Sequence, residues 1–279
     1  MARRADRALG RAERIEHERR LAEAARRKQR LARLAGLVVS AAVVIVAVVV
    51  ISASHNTSDV VRPGTRAAKA DDARVDTLLA GIAESADNTL GASSAPVTVT
   101  EFGDLECSVC DDFALATTVS TSDGASGSGV EDQLISTYVR TGRARLVYRS
   151  LDTATSAAGE RSEFPIQQAA ALAAGLQQRA WYYIELFYNE QGQEGSGYVT
   201  ESYLDGLAKQ IPGLDYREWL SARHDPSLTA QVSSDETSAS RQGLQATPSI
   251  VISGPKGRAT PIQGVPSWSQ LQSAIRSVS

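Results

Sequence analysis

The sequence predicts an α/β domain of the order β-α-β … β-β-α, with a helical block inserted in its middle and one transmembrane helix in front. Three observations carry that prediction. Strand-like runs occur at residues 97–102, 144–149 and 249–253, and only the last two are separated by a long stretch rich in alanine and leucine. The chain's only two cysteines stand as Cys107-Ser-Val-Cys110, just after the first run and just before a helical pattern. Residues 34–54 hold no charged side chain.

The chain has 279 residues and a net charge of −3, an average over two unlike parts. Residues 1–33 carry twelve Arg/Lys against five Asp/Glu, and the remainder is acidic. Pairs such as Glu16–Arg20 and Glu23–Arg27 have the i,i+4 spacing that supports a solvent-exposed helix over 7–33. A nucleic-acid arm is one reading of so basic a tail. A juxtamembrane topology signal accounts for the charge without a further partner, so no nucleic acid is expected.

About 20 apolar residues suit a helix that crosses a bilayer, which makes 34–54 a membrane anchor. Arg26, Arg27, Lys28, Arg30 and Arg33 then hold the N-terminus inside by the positive-inside rule. A cleaved signal peptide is the alternative, because Ser52-Ala-Ser54 resembles a cleavage site. The basic region is, however, far longer than the n-region of a signal. The predicted organisation is a basic cytoplasmic tail at 1–33, a transmembrane helix at 34–54 and a linker with a leading helix at 55–95. The first α/β half follows at 96–152, the helical insertion at 153–243 and the second half at 244–279.

Within 55–95, Val75, Leu78, Leu79 and Ile82 form an apolar stripe at helical spacing, which predicts a helix over 71–90. The helix after Cys107 is interrupted by the Gly/Ser-rich stretch 120–129. A helical pattern resumes over 130–141, and Gly142 is a natural stop. Residues 165–190 read as one long helix whose aromatics, Trp181 to Phe187, belong mainly to the core. Further helices are predicted at 199–210, 216–223 and 226–242. A strand at 249–253, a turn at 254–257, a strand at 259–262 and a closing helix at 267–275 complete the chain. It has no internal repeat, no P-loop and no Gly-x-Gly-x-x-Gly fingerprint, and no cofactor is expected.

Two cysteines two residues apart at a helix start point to redox chemistry. The helix N-terminus favours a thiolate on the first, Cys107, and the second, Cys110, can close a disulfide onto it. Half of a zinc site is an alternative, but a structural zinc takes four ligands, and the chain has no second cysteine pair and only His17, His55 and His224. No metal is therefore expected. A permanent structural disulfide is the other alternative; it closes only a tiny loop, so entropy gives little reason for it. With a membrane segment in the same chain, the site is expected outside the cytoplasm, where disulfides persist. Glu101 shares the strand parity of Val97 and Val99 and is expected to point inward, which is unusual for a carboxylate.

These residues resemble the DsbA-like branch of the thioredoxin superfamily. Val97-Thr-Val-Thr-Glu-Phe-Gly-Asp-Leu-Glu-Cys-Ser-Val-Cys110 looks like that family's first core strand and active-site entry, and Arg143-Ala-Arg-Leu-Val-Tyr-Arg149 like the next strand. Ala246-Thr-Pro-Ser-Ile-Val-Ile252 looks like the segment bearing the family's cis-proline. The resemblance covers about residues 90–279. It implies a thioredoxin fold with a helical insertion, Cys107 as the attacking cysteine and Cys110 as its resolving partner. It further implies Glu101 as a buried acid relaying the Cys110 proton, and Thr247-Pro248 as the loop that presents backbone to a substrate peptide.

One departure bears on strength. Ser108 and Val109 stand between the cysteines where the family more often has proline and a larger residue. Val109 offers no imidazole to a thiolate, so a less oxidising pair is expected. The implied activity is that of a thiol:disulfide oxidoreductase held in the plasma membrane by a single pass, its N-terminus cytoplasmic and its catalytic domain outside. Its expected work is oxidation of cysteine pairs in exported proteins, with electrons passed to an integral-membrane, quinone-linked partner. A reductase, an isomerase and a non-catalytic thioredoxin-fold binding protein are the alternatives.

Overall fold

A computed structural model describes residues 65–115 and 129–279 of the chain. The expected cytoplasmic tail, transmembrane helix and first part of the linker lie outside the described residues, as does most of the Gly/Ser-rich stretch. Among the described residues no helix is long and apolar enough to cross a membrane.

The architecture follows from one central strand. Strand β3 (Val97–Gly103) lies between β4 (Ala144–Ser150), its parallel neighbour, and β5 (Ser249–Gly254), its antiparallel one. A parallel neighbour needs a crossover. Here it comprises α2 (Ser108–Leu115), α3 (Val130–Leu134) and a wide π-turn (Ile135–Val139). Ahead of this unit come α1 (Arg66–Leu79) and the short strands β1 (Glu84–Ser85) and β2 (Thr89–Leu90); β2 extends the sheet antiparallel to β4. The sheet order is β1-β2-β4-β3-β5-β6, with β6 (Gly257–Arg258) and β7 (Ile262–Gln263) both on β5. Between β4 and β5 run α4 (Ala154–Ala157), α5 (Glu163–Leu176), α6 (Ala180–Asn189), α7 (Glu201–Gln210), α8 (Tyr216–Ala222) and α9 (Pro226–Arg241). Helix α10 (Trp268–Val278) closes the fold, its start fixed by a capping box between Ser267 and Gln270. This is a thioredoxin fold with an inserted helical subdomain.

Three expectations need correction. The leading helix spans Arg66–Leu79 rather than 71–90. Its start is capped by the Thr65 hydroxyl, which accepts from Ala68 N at 3.2 Å, and Leu90 lies in β2. The long helix 165–190 is two helices, broken where Gln178 takes a left-handed φ of 60° and Arg179 N donates back to Ala174 O at 2.9 Å. A glutamine at such a stop leaves no glycine signal to read. Of the predicted strand 259–262 only Ile262 lies in a strand, β7; β6 falls earlier, at Gly257–Arg258, and Pro261, which has no N–H to donate, sits in the gap between the two.

The insertion is sewn to the sheet by buried polar contacts. Trp181 is fully buried, stands edge-on to Tyr148, and donates from Nε1 to Asn88 O at 2.9 Å. Trp219 donates to Ala170 O at 2.8 Å and stacks with Tyr183. Asp235 of α9 accepts from Ser150 N at the end of β4. The aromatics of α6 are therefore core, as the sequence suggested. Trp181→Ala should lower the unfolding free energy by about 3–5 kcal/mol, the usual loss for a large aromatic in a close-packed interior, as read by urea denaturation.

Candidate functional site

Strand β3 delivers the site. Its burial alternates until Glu101, which lies on the core face with Val97 and Val99 and is fully buried. Gly103 ends the strand where there is no room for a side chain; a Cβ there would sit 2.7 Å from the Tyr148 ring. The chain then turns through Asp104-Leu105-Glu106 into Cys107.

Asp104 holds the turn. It is fully buried, and its carboxylate accepts from Glu106 N (3.2 Å), Thr153 N (3.1 Å), Thr155 N (2.9 Å) and Thr155 Oγ1 (2.6 Å). Burial pushes its pKa up, and these donors oppose the rise. Asp104 is thus a four-donor anchor between β3 and the first helix of the insertion.

The cysteines differ in a way that matters chemically. Both are free thiols. Cys107 precedes α2 and retains 4% exposure; Cys110, inside the first turn, has none. Between them Val109 is 42% exposed. The Cys107 pKa is pulled down to about 7, first by the hydrogen bond from Cys110. The Thr247 side chain and the N–H groups of Cys110 and Val109 add to this against the cost of burial. Burial, the neighbouring sulfur and the Glu101 charge all push Cys110 well above an ordinary thiol. At neutral pH the first sulfur is therefore partly a thiolate, and the second keeps its proton.

The register of β5 on β3 pairs Phe102 with Ser249, which carries the residues just before Ser249 up to the cysteines. The Thr247–Pro248 bond is cis. Cys107 Sγ lies 3.8 Å from Thr247 O, and the Thr247 hydroxyl meets that of Thr153. The structure thus brings Glu101, Cys107, Ser108, Val109, Cys110, Thr247 and Pro248 to one end of the sheet.

Behind the cysteines lies a group of acids. Glu101, Glu131 and Glu185 are all fully buried, from β3, α3 and α6. Glu101 and Glu131 face one another, an arrangement that holds when one carries a proton the other accepts. Burial raises Glu101 to about 7 and Glu185 to about 8, and it pushes Glu131 well above its ordinary value. Arg74 of α1 closes the group toward solvent, 3.7 Å from Glu185 and 2.5 Å from Asp132.

Sequence reasoning missed Glu131 and Glu185. Signals existed: Glu131 falls on the stripe of Leu134, Ile135 and Tyr138, and Glu185 interrupts the apolar run Tyr182–Phe187. It also missed Gln191 and Glu194, which reach the active-site turn from the segment after α6. No local pattern announces these, because their partners are more than eighty residues away.

A family model described as "Thioredoxin" matches residues 84–276. The probable disulfide bond formation protein D of Bacillus cereus is 23% identical over 173 residues, covering 62% of this chain and 72% of that protein. The crystal structure of oxidised BdbD from Bacillus subtilis superposes with a TM-score of 0.54 at 19% identity, covering 70% of this chain and 94% of that one. A thioredoxin-like oxidoreductase from Silicibacter pomeroyi gives 0.51 at 23% identity, covering 72% and 95%. At these identities the solved structures bear on the fold alone.

The raised acids fix the sign of the stability–pH profile. A carboxyl whose folded pKa lies above its unfolded value binds its proton more tightly when folded. Its contribution is fully present below about pH 4 and is lost as pH rises through the folded value. Glu84, Glu101, Glu106 and Glu190, each raised to about 7, and Glu185 at about 8 all act in this direction. The oxidised protein, in which no thiol titrates, should melt on the order of 5 °C higher at pH 5 than at pH 8 by calorimetry. Glu185→Gln should flatten that decline.

Proposed function

The chain belongs to the thioredoxin family and is a thiol:disulfide oxidoreductase, and on that premise we propose that Cys107 and Cys110 exchange disulfides with cysteine pairs of exported proteins outside the cytoplasm, chiefly in the oxidising direction. The observation that carries this is the asymmetry of the two sulfurs: one pulled toward thiolate at a helix start, the other buried above Glu101 and held protonated. The disulfide-forming names of the Bacillus relatives favour oxidation.

A substrate thiolate attacks Cys107 Sγ of the oxidised pair, and the Cys107–Cys110 bond breaks. Cys110 leaves as a thiolate and takes a proton from Glu101, whose pKa of about 7 suits it to lend one at neutral pH. The second substrate thiolate then attacks the substrate sulfur of the mixed disulfide and expels the Cys107 thiolate. Two electrons have passed from the substrate dithiol to the cysteine pair. Thr247 and Pro248 line the approach and offer the Thr247 backbone to an extended peptide, beside Ser108 and the exposed Val109. Reoxidation by a quinone-linked integral-membrane partner fits a domain held at the plasma membrane by residues 34–54, with 1–33 cytoplasmic.

Redox equilibration in glutathione buffers with thiol trapping tests the direction. An oxidant gives a potential of about −120 to −200 mV, and a value near about −270 mV assigns a reductase instead. A protein that stays folded and does not exchange holds a structural disulfide and sinks the reading. Cys110→Ser should attack a model peptide in the disulfide form through Cys107, release one peptide thiol and accumulate the mixed disulfide, and Cys107→Ser should form none. Glu101→Gln should slow the opening of the Cys107–Cys110 disulfide by a substrate thiol, the step in which Glu101 protonates Cys110, by up to about 100-fold at pH 7 while leaving the alkylation midpoint of Cys107 close to 7.

A further inference from the structure

The segment following α6 is laid along the active-site turn by a set of long-range hydrogen bonds. Gln191 Nε2 donates to Leu105 O at 2.7 Å and to Cys107 O at 3.3 Å. Gly195 N donates to Glu106 Oε1 at 3.0 Å. Between them Glu194 Oε2 accepts twice from one residue, from Ser108 N at 3.1 Å and from Ser108 Oγ at 3.0 Å. Gly195 and Gly197 have φ of 73° and 70°, and this left-handed backbone brings the segment round onto the turn.

Ser108 opens the active-site helix, and its N–H is one of the donors that a helix start leaves without an internal partner. Those donors and the positive helix end are what favour a thiolate on Cys107. In this chain one of them is already taken by a carboxylate. The arrangement needs this sequence, because a proline at 108 has neither the N–H nor the hydroxyl that Glu194 holds.

We propose that Glu194 is a positioning residue that restrains the oxidising strength of the Cys107–Cys110 pair, by holding a carboxylate on the first N–H of the active-site helix. The inference rests on the reading of that pair as the exchanging one. Its physics is repulsion between two anions competing for one helix terminus. In the disulfide state Cys107 has no charge, so Glu194 holds the Ser108 end of the helix without competition from it, while Asp111 of the first turn is present in both redox states. In the reduced state a Cys107 thiolate shares that terminus with Glu194 and is less stable for it. A less stable thiolate means a less stable reduced form and a weaker oxidant. Glu106, with Glu160 beside it, is the other acid of this strap, and its pKa of about 7 keeps it partly neutral at working pH.

Glu194→Gln keeps the acceptor and removes the charge, so it separates the electrostatic role from a strap that merely holds the loop. Two quantities are read on the full-length protein at low ionic strength: the alkylation midpoint of Cys107 and the equilibrium constant for its reduction by glutathione. A charge at an exposed helix end shifts such an equilibrium by about two- to five-fold, so the variant should favour thiolate and reduced form by that factor. Glu194→Lys should go further in the same direction. High salt should shrink both differences, and Ser108→Pro should abolish the effect of Glu194→Gln. A wild type that exchanges with glutathione while both Glu194 variants match it overturns the inference alone. A wild type that does not exchange removes the reading of the pair, and this inference with it.

Discussion

The register of β3 between its two neighbours is the constraint on which the rest depends. Pairing Gly103 with Ser150 on one side and Phe102 with Ser249 on the other ends three segments at one level of the sheet. The cysteine turn follows the first, the Thr153–Thr155 start of the insertion follows the second, and the cis Thr247–Pro248 peptide precedes the third. Slipping β3 by one residue would turn Glu101 to the other face of the sheet and remove Thr247 from Cys107. The site is therefore a property of strand pairing before it is a property of any side chain.

The same pairing explains why an acid stands in the core at all. Position 101 is an inward position of a central strand, where an apolar residue would be the stabilising choice. The structure adds Glu131 and Glu185 to it rather than a base, and Arg74, 3.7 Å from Glu185, lies at the edge of the group. Three carboxyls in so little space cannot all ionise, so protons are held there at neutral pH. That is unfavourable for stability as pH rises, and it keeps an exchangeable proton beneath Cys110. An ion pair in the same place would fix Glu101 as a permanent anion and leave it with nothing to lend.

Much of this was legible in the sequence. The order of the strands, the helix start at the cysteines and the inward Glu101 follow from period-two burial and the cysteine spacing. What the sequence hid has common causes. The break at Gln178 uses a left-handed residue other than glycine. The splitting of β6 from β7 depends on where Pro261 falls in the ladder. The Asp104 anchor and the contacts of Gln191 and Glu194 are made by residues that only the fold brings together. Each is a tertiary fact written on a polar residue, and polar residues in turns have no periodicity to betray their partners.

The insertion, then, is more than a cover for the sheet. Its first turn holds Asp104 from the side, through Thr153 and Thr155. Helix α6 supplies Glu185 and Tyr188 beneath Glu101, and the segment after α6 supplies Gln191 and Glu194 at the mouth. The thioredoxin half by itself would present two cysteines at a helix start whose Ser108 N–H lacks the Glu194 carboxylate. The inserted half adds an acid on each side of that pair, Glu185 below it in the proton-holding group and Glu194 above it, whose carboxylate competes for the helix end. The first acts on Cys110 through Glu101, and the second acts on Cys107 at the helix end. Redox strength in this protein is thus tunable apart from its fold, because the strands set where Cys107 stands, Cys110, Val109 and Thr247 draw it toward thiolate, and Glu194 of the insertion opposes them at the helix end.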